Sequence, residues 1–253
     1  LYLHVTSFDQ KVVESVKKAI KETPKNEGII LDFRNNPGGL LDQAIELVDM
    51  FVEEGTIVSQ KGRAQGENIN YDATKKNTDT KTPIVVLVNG CSASASEIVS
   101  GALQDFNRSI VVGEKTFGKG SVQVVMPIGE TEALKLTVAR YYLPSGRTIQ
   151  AEGVTPDITV RLGEIAYKED PILLKERDLK KHLQGELDKI NGKENGKKNP
   201  KKDKKSKETN STDSNTTEVD DTIITEEQLY KDAQLKSAVD ILKALIITKK
   251  GQM

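Results

Sequence analysis

Apolar residues along this chain alternate between short unbroken runs and stretches with helical spacing. Gly28-Ile29-Ile30-Leu31-Asp32-Phe33 and Pro83-Ile84-Val85-Val86-Leu87-Val88 are nearly continuous apolar runs, the pattern of strands buried on both faces of a sheet. Leu1 to Phe8 reads as a strand ahead of them. The spacing of Val12, Val13, Val16, Ala19 and Ile20 predicts a helix that stops before Pro24, with Ser7-x-x-Gln10 as its start signal. Leu41, Ala44, Ile45, Val48, Phe51 and Val52 give a second helix, and Ile98, Val99, Ala102, Leu103 and Phe106 a third. Further strands are expected at Ser109–Gly113, Ser121–Met126 and Glu132–Leu143, the last closed by the turn Pro144-Ser145-Gly146-Arg147. Short alternating segments at Thr56-Ile57-Val58 and Asn68-Ile69-Asn70-Tyr71 suggest a hairpin or flap. Strand and helix in turn argue for an α/β fold built from βαβ units over residues 1–160.

Beyond Arg161 the pattern changes. Residues 161–190 read as a charged helical extension, with the helix at Leu173–Ile190. Residues 191–222 pass from GKENGKKNPKKDKKSK to ETNSTDSNTTEVDD; with almost nothing apolar to bury, they are expected to be a disordered linker. Within residues 223–253, the capping box Thr225-Glu226-Glu227-Gln228 opens a helix carrying Leu229, Leu235, Val239, Leu242 and Ile246. This helix needs a partner surface, either the core or a second copy of the chain in a homodimer.

Composition narrows the options. A chain of 253 residues can hold one substantial core plus appendages. Aromatics make up 4% and Trp is absent, so the core must rest on Val, Ile, Leu and Ala. A net charge of −1 gives no general reason to expect a nucleic-acid partner. The single cysteine, Cys91, rules out an intramolecular disulfide and a four-cysteine zinc site. No apolar run has the length of a membrane span. The start at Leu1, inside a strand pattern, suggests a piece of a longer protein.

Candidate chemistry is concentrated between Asn89 and Gln123. Ser94 opens the third helix with Glu97 three residues on. One reading is simple capping; the other is a nucleophile at a helix N-terminus, where unpaired N–H groups favour developing negative charge. A serine nucleophile needs a base. The two histidines, His4 and His182, lie in the first strand and in the Lys-rich extension without motif-like company, so a Ser-His-Asp triad is a poor fit. Lys119, between Gly118 and Gly120 and among small or apolar neighbours, is the better candidate, provided that it is buried enough to shed its proton. Cys91 is expected to be a buried structural thiol rather than the nucleophile. The turn Arg34-Asn35-Asn36-Pro37-Gly38-Gly39 is either a plain tight turn or a source of backbone N–H groups for an oxyanion. Neither phosphate-loop pattern, GxGxxG nor GxxxxGK[ST], occurs.

LDFRNNPGG, SASASEI, GALQD, VVGEKTFGKGSVQ and YYLPSGRTIQAEGVTPDI, in that order, resemble the C-terminal processing (tail-specific) proteases, serine endopeptidases with a Ser/Lys dyad. The resemblance runs from about Leu1 to Val160 and recurs weakly in DAQLKSAVDILK. It implies a ClpP/crotonase-like core, Ser94 as nucleophile and Lys119 as base. It implies oxyanion donors at Ala95 and at Gly38 or Gly39, Gln123 as the residue orienting the lysine, and Asp105 in a supporting role. It implies no metal or organic cofactor, polypeptide substrates with accessible C-termini, and a PDZ domain ahead of Leu1 that captures them. An export signal or membrane anchor, and hence an extracytoplasmic or cell-envelope location, is also implied for the full-length protein. Two rival readings are a crotonase-like acyl-transfer or hydratase enzyme on the same fold, and a binding scaffold whose dyad never assembles.

Overall fold

The computed structural model describes residues 1–62, 68–76, 78–166 and 223–251. The expected helix at Leu173–Ile190 and the expected disorder of residues 191–222 lie outside the described residues. Leu1–Ile165 and Thr225–Met253 form one compact unit; the other, Ala166–Ile224, falls almost wholly outside the description.

Five strands form a parallel sheet: β1 (Tyr2–His4), β2 (Ile29–Asp32), β5 (Ile84–Val88), β6 (Ile110–Gly113) and β9 (Ile158–Thr159), in the order β1-β2-β5-β6-β9. The unbroken apolar runs make β2 and β5, and every residue of both strands is buried. Alternation along the strands divides their side chains between two layers. Ile29, Leu31, Ile84, Val86, Val88 and Val111 join the main core with α1 (Val12–Glu22), α2 (Leu41–Asp49) and α3 (Ala95–Asp105). Ile30, Val85, Leu87 and Val112 are equally buried but face the other way. A C-terminal helix covers that second face.

β3 (Thr56–Gly62), β4 (Ile69–Asp72), β7 (Ser121–Pro127) and β8 (Ala133–Tyr142) build a separate antiparallel sheet in the order β4-β3-β8-β7. The expected hairpin between Gly55 and Thr82 is thus its β3–β4 edge.

Two element boundaries differ from expectation. α1 begins at Val12 after Lys11, and no side chain caps it. The Ser7–Gln10 stretch has other work: the Phe8 N–H donates to the Gly38 carbonyl at 3.0 Å, and the Phe8 carbonyl accepts from the Leu40 N–H at 2.8 Å. The C-terminal helix is in fact two. The Thr225 capping box forms, with the Gln228 N–H donating to the Thr225 hydroxyl and the Thr225 N–H to the Gln228 side chain, but α4 (Glu226–Lys231) ends at Asp232. There the backbone turns extended (φ −130°, ψ 93°), and the Asp232 carboxylate caps a new helix, α5 (Ala233–Lys250), by accepting from the Leu235 N–H at 3.0 Å. α5 returns to the core of its own chain. It lies on β2, β5 and β6, burying Leu235, Ala238 and Leu242. At Gly28 the approach is so close that a Cβ would sit 2.7 Å from Leu242 Cδ1.

Candidate active site

Strand β5 ends at Val88, and six residues later Ser94 stands at the N-cap of α3 with φ 56° and ψ −112°. A non-glycine residue in that region costs roughly 1–3 kcal/mol and persists only where its surroundings enforce it. Here Ala93 N–H donates to the Asn36 carbonyl, Ser92 Oγ donates to the Phe33 carbonyl at 2.8 Å, and Ser96 Oγ donates to the Asn36 carbonyl at 3.1 Å. A serine held on a sharp strand-to-helix turn is the geometry of a nucleophile elbow.

Glu97 is the residue whose importance the sequence concealed. It is fully buried and was legible only as a helix cap. Its Oε2 accepts from the Ser94 N–H and from the Lys119 N–H, each at 2.8 Å; its Oε1 accepts from the Gly118 N–H at 2.7 Å and the Thr116 hydroxyl at 2.5 Å. Because one oxygen holds both backbones, the nitrogens of Ser94 and Lys119 stand no more than about 6 Å apart. The helix cap and the lysine loop are one construction.

The glycine turn closes on the same point. Gly38 has φ 98°, and a Cβ on it would meet Ala93 O at 2.6 Å, Ala95 N at 2.8 Å and Ser94 Cβ at 2.8 Å. Only glycine lets this loop lie against the serine. The two glycine N–H groups differ. That of Gly38 is taken by Asn36 Oδ1 at 2.8 Å, deep in the structure. The peptide joining Gly38 to Gly39 directs its carbonyl to Phe8, and in a trans peptide the N–H points the opposite way, so the Gly39 N–H faces away from Phe8. Among the described residues, neither the Gly39 N–H nor that of Ala95, in the first turn of α3, has an acceptor.

Other expected site residues lie elsewhere. Lys119 is exposed, contrary to the expected burial. Its flanking glycines take the inside positions instead: Gly120 N–H donates to the Gln150 side chain, Gly118 accepts from the Ala151 N–H, and the lysine side chain is left outward. Among the described residues no hydrogen bond joins its Nζ to Ser94. Gln123 is exposed on β7 just past a register shift, and its amide donates to the Thr137 hydroxyl at 3.5 Å rather than to Lys119. Asp105 ends α3, about 16.5 Å along the helix from Ser94 at 1.5 Å per residue. Its carboxylate pairs with Arg147 at 2.9 Å and accepts from the Ser145 N–H at 2.9 Å, tying down the turn after β8. Cys91 is exposed, not buried, because Ser92 fills the inward position of that turn. His4 is exposed on the edge strand β1; His182 lies outside the described residues. Among the described residues no cluster of His, Cys, Asp and Glu could hold a metal ion, and no helix is long and apolar enough to cross a membrane.

Residues 1–160 match the family model described as "Peptidase family S41". The chain belongs to peptidase family S41. Among its S41 relatives, a carboxy-terminal-processing protease of Bartonella bacilliformis is 47% identical over 199 residues, covering 76% of this chain and 46% of that protein. A carboxyl-terminal-processing protease of a Synechocystis species is 39% identical over 170 residues, covering 66% and 39% respectively. Of solved S41-like structures, the photosystem II D1 C-terminal processing protease superposes with a TM-score of 0.59 at 36% identity, over 63% of this chain and 42% of that one. The S41 chain described here thus spans less than half the length of these relatives.

Proposed function

We propose that this S41 chain carries the catalytic core of a serine endopeptidase that cuts polypeptides near their C-termini. The observation that carries the reading is the Glu97 carboxylate, which holds Ser94 and Lys119 to a single oxygen beside the Gly38–Gly39 turn. Ser94 Oγ attacks the scissile carbonyl while the neutral Lys119 amine takes its proton. The N–H groups of Ala95 and Gly39 hold the oxyanion, because the Gly38 N–H is already committed to Asn36. Lys119 returns the proton to the leaving amine, and water then releases the acyl-enzyme. A substrate seated over the exposed Lys119 side chain excludes water from it, supplying the desolvation that the free chain lacks. β7 begins two residues after Lys119 and is an edge strand, so an extended polypeptide pairing with it reaches the lysine. The reading includes a PDZ domain ahead of Leu1 and an envelope location for the full-length protein, as in the family it resembles. Gln123 and Asp105 take no direct part in this scheme: Gln123 belongs to β7, and Asp105 anchors the Ser145–Arg147 turn as structural support.

The test is cleavage of an unfolded reporter protein by the unaltered chain, Ser94→Ala and Lys119→Ala, with product ends read by mass spectrometry. Loss of turnover by about 10²–10⁴-fold in Lys119→Ala is expected of a missing general base. Unchanged turnover in that variant would sink the mechanism.

A further inference from the structure

Arg34 lies between the end of β2 and the glycine turn, and its side chain is only 12% exposed. Its Nε and Nη2 donate to the Asp32 carboxylate, the shortest contact being 2.6 Å, and Asp32 is buried and also accepts from the Tyr2 hydroxyl at 2.8 Å. The remaining nitrogen, Nη1, reaches some two hundred residues along the chain. It donates to both oxygens of Asp232, at 2.9 and 2.7 Å, and to the Gln234 side chain at 3.2 Å. Gln234 is itself buried and donates to the Val160 carbonyl at 2.8 Å. Burial opposes the charge on Arg34, but its hydrogen bonds and charge pairing with Asp32, and then with Asp232, outweigh that and hold the guanidinium well above its ordinary value.

From Arg34 the chain runs directly into the site. Asn35 is held in a left-handed conformation (φ 60°) by a reciprocal amide pair with Asn89, its N–H donating to Asn89 Oδ1 at 3.0 Å and its Oδ1 accepting from Asn89 Nδ2 at 2.9 Å. Asn36, fully buried, donates to the Val5 carbonyl at 2.7 Å and accepts from the Gly38 N–H. Its own carbonyl accepts from Ala93 and Ser96, next to Ser94. One end of this loop is thus pinned to the turn that bears the serine. The other end is pinned, through Arg34, to the N-terminus of α5.

We propose that Asp232, at the N-cap of the C-terminal helix α5, is a positioning residue for the peptidase reaction, holding through Arg34 the Asn35–Gly39 loop that presents the oxyanion donor. The proposal rests on the function given above. It makes the C-terminal helix part of the catalytic apparatus, although among the described residues no hydrogen bond joins that helix to Ser94, Lys119, Gly38 or Gly39. Nε and Nη2 fork onto Asp32 and fix the plane of the guanidinium, so Nη1, shared between the two Asp232 oxygens, ties that plane to the start of α5 by a charge-assisted contact that a lone capping hydrogen bond does not supply. An error of about 1 Å in a group that supports a reacting centre can cost on the order of 10²-fold in rate.

The variants for the test, made in the full chain, are Asp232→Ser, which keeps a capping oxygen for α5 while deleting the carboxylate, and Arg34→Gln. Two readouts are taken together: hydrogen exchange of the peptide containing residues 34–40, and kcat and KM on the unfolded reporter. The expected result for Asp232→Ser is faster exchange in residues 34–40 with β5 and β6 still protected, and kcat lower by about tenfold or more with KM within about twofold. Arg34→Gln should loosen the same loop and lower kcat at least as far, since it also strips buried Asp32 of its partner, and the double variant should be no worse than Arg34→Gln alone, because that change already removes the link to Asp232. Unchanged exchange in residues 34–40 in folded Asp232→Ser would overturn the proposal whatever the kinetics, as would an unchanged kcat alongside loosened exchange. If the unaltered chain cuts nothing while exchange in the loop still responds to Asp232→Ser, the loop restraint stands and the peptidase reading falls.

Discussion

Gly38→Ala puts a single methyl group where the structure has no room. Its Cβ would lie 2.6 Å from Ala93 O and 2.8 Å from Ala95 N, against an ordinary contact of 3.4 Å or more. Two of the three nearest atoms are backbone, held by the hydrogen bonds of Asn36 and of α3, so no side chain can swing aside. The loop and the serine turn must therefore separate by roughly 1 Å, a displacement able to cost about 10²-fold in rate, or about 2.7 kcal/mol of transition-state stabilisation. A further ~1–2 kcal/mol of folding stability is lost because an L-residue must adopt φ 98°. Gly146→Ala is the control: φ is +84°, but a Cβ there meets nothing within 4 Å, so it carries the backbone penalty without the clash. The assay is steady-state cleavage of the unfolded reporter, with labelling by a serine-directed probe and a thermal midpoint for each variant. Expected are a kcat about 10²-fold lower for Gly38→Ala and one within about twofold of the parent for Gly146→Ala, with the lower midpoint in Gly38→Ala because it alone carries the clash. A folded Gly38→Ala whose kcat stays within about threefold of the parent would refute the placement of the glycine turn against the nucleophile.

Glu97→Gln leaves one acceptor oxygen where two now serve four donors, so roughly 1–3 kcal/mol of stability should be lost for each donor stranded, read by chemical denaturation, together with slower probe labelling of Ser94. Leu242→Ala removes a buried side chain of α5 from the second face of the sheet and should cost about 2–5 kcal/mol in the same assay; a loss under about 0.5 kcal/mol would mean that α5 does not dock in solution. The Asp79 carboxyl lies below its ordinary value of 3.8: burial acts to raise it, but the Thr82 hydroxyl, then the Thr82 and Lys81 N–H groups and the nearby Arg108 charge, outweigh that. A lowered value means a contribution to stability that is present above about pH 4 and lost as pH falls through and below it; the acid limb of a stability–pH profile should flatten in Asp79→Asn.

The strands and helices that bury a continuous apolar face were legible because periodicity reports burial. β2, β5, α2 and α3 appear almost where the spacing puts them. What could not be read was any residue serving two partners. Ser-x-x-Glu looks the same whether the glutamate only caps a helix or also accepts from a loop twenty residues downstream, so Glu97 passed for a local feature. Ser7-x-x-Gln10 looks like a cap as well, yet Phe8 between them pairs with the glycine turn instead. The choice between Gly38 and Gly39 depends on which N–H the Asn36 side chain takes, and that is decided in three dimensions. Glycines beside a lysine suggest its burial, whereas Gly118 and Gly120 are buried in place of Lys119, which is exposed. Asp232 is invisible to local pattern altogether, because its partner stands two hundred residues away.

The second face of the parallel sheet has a consequence for the order in which this protein can be made. Ile30, Val85, Leu87 and Val112 are synthesised long before the helix that covers them, residues 233–250. Until then the sheet presents an open apolar surface, the kind that nascent and partly folded chains hide only by waiting or by being shielded. A ribosome that has already translated the serine, the lysine and the glycine turn is still holding an unfinished sheet, and native packing of that face is reached only once residues 233–250 have been made.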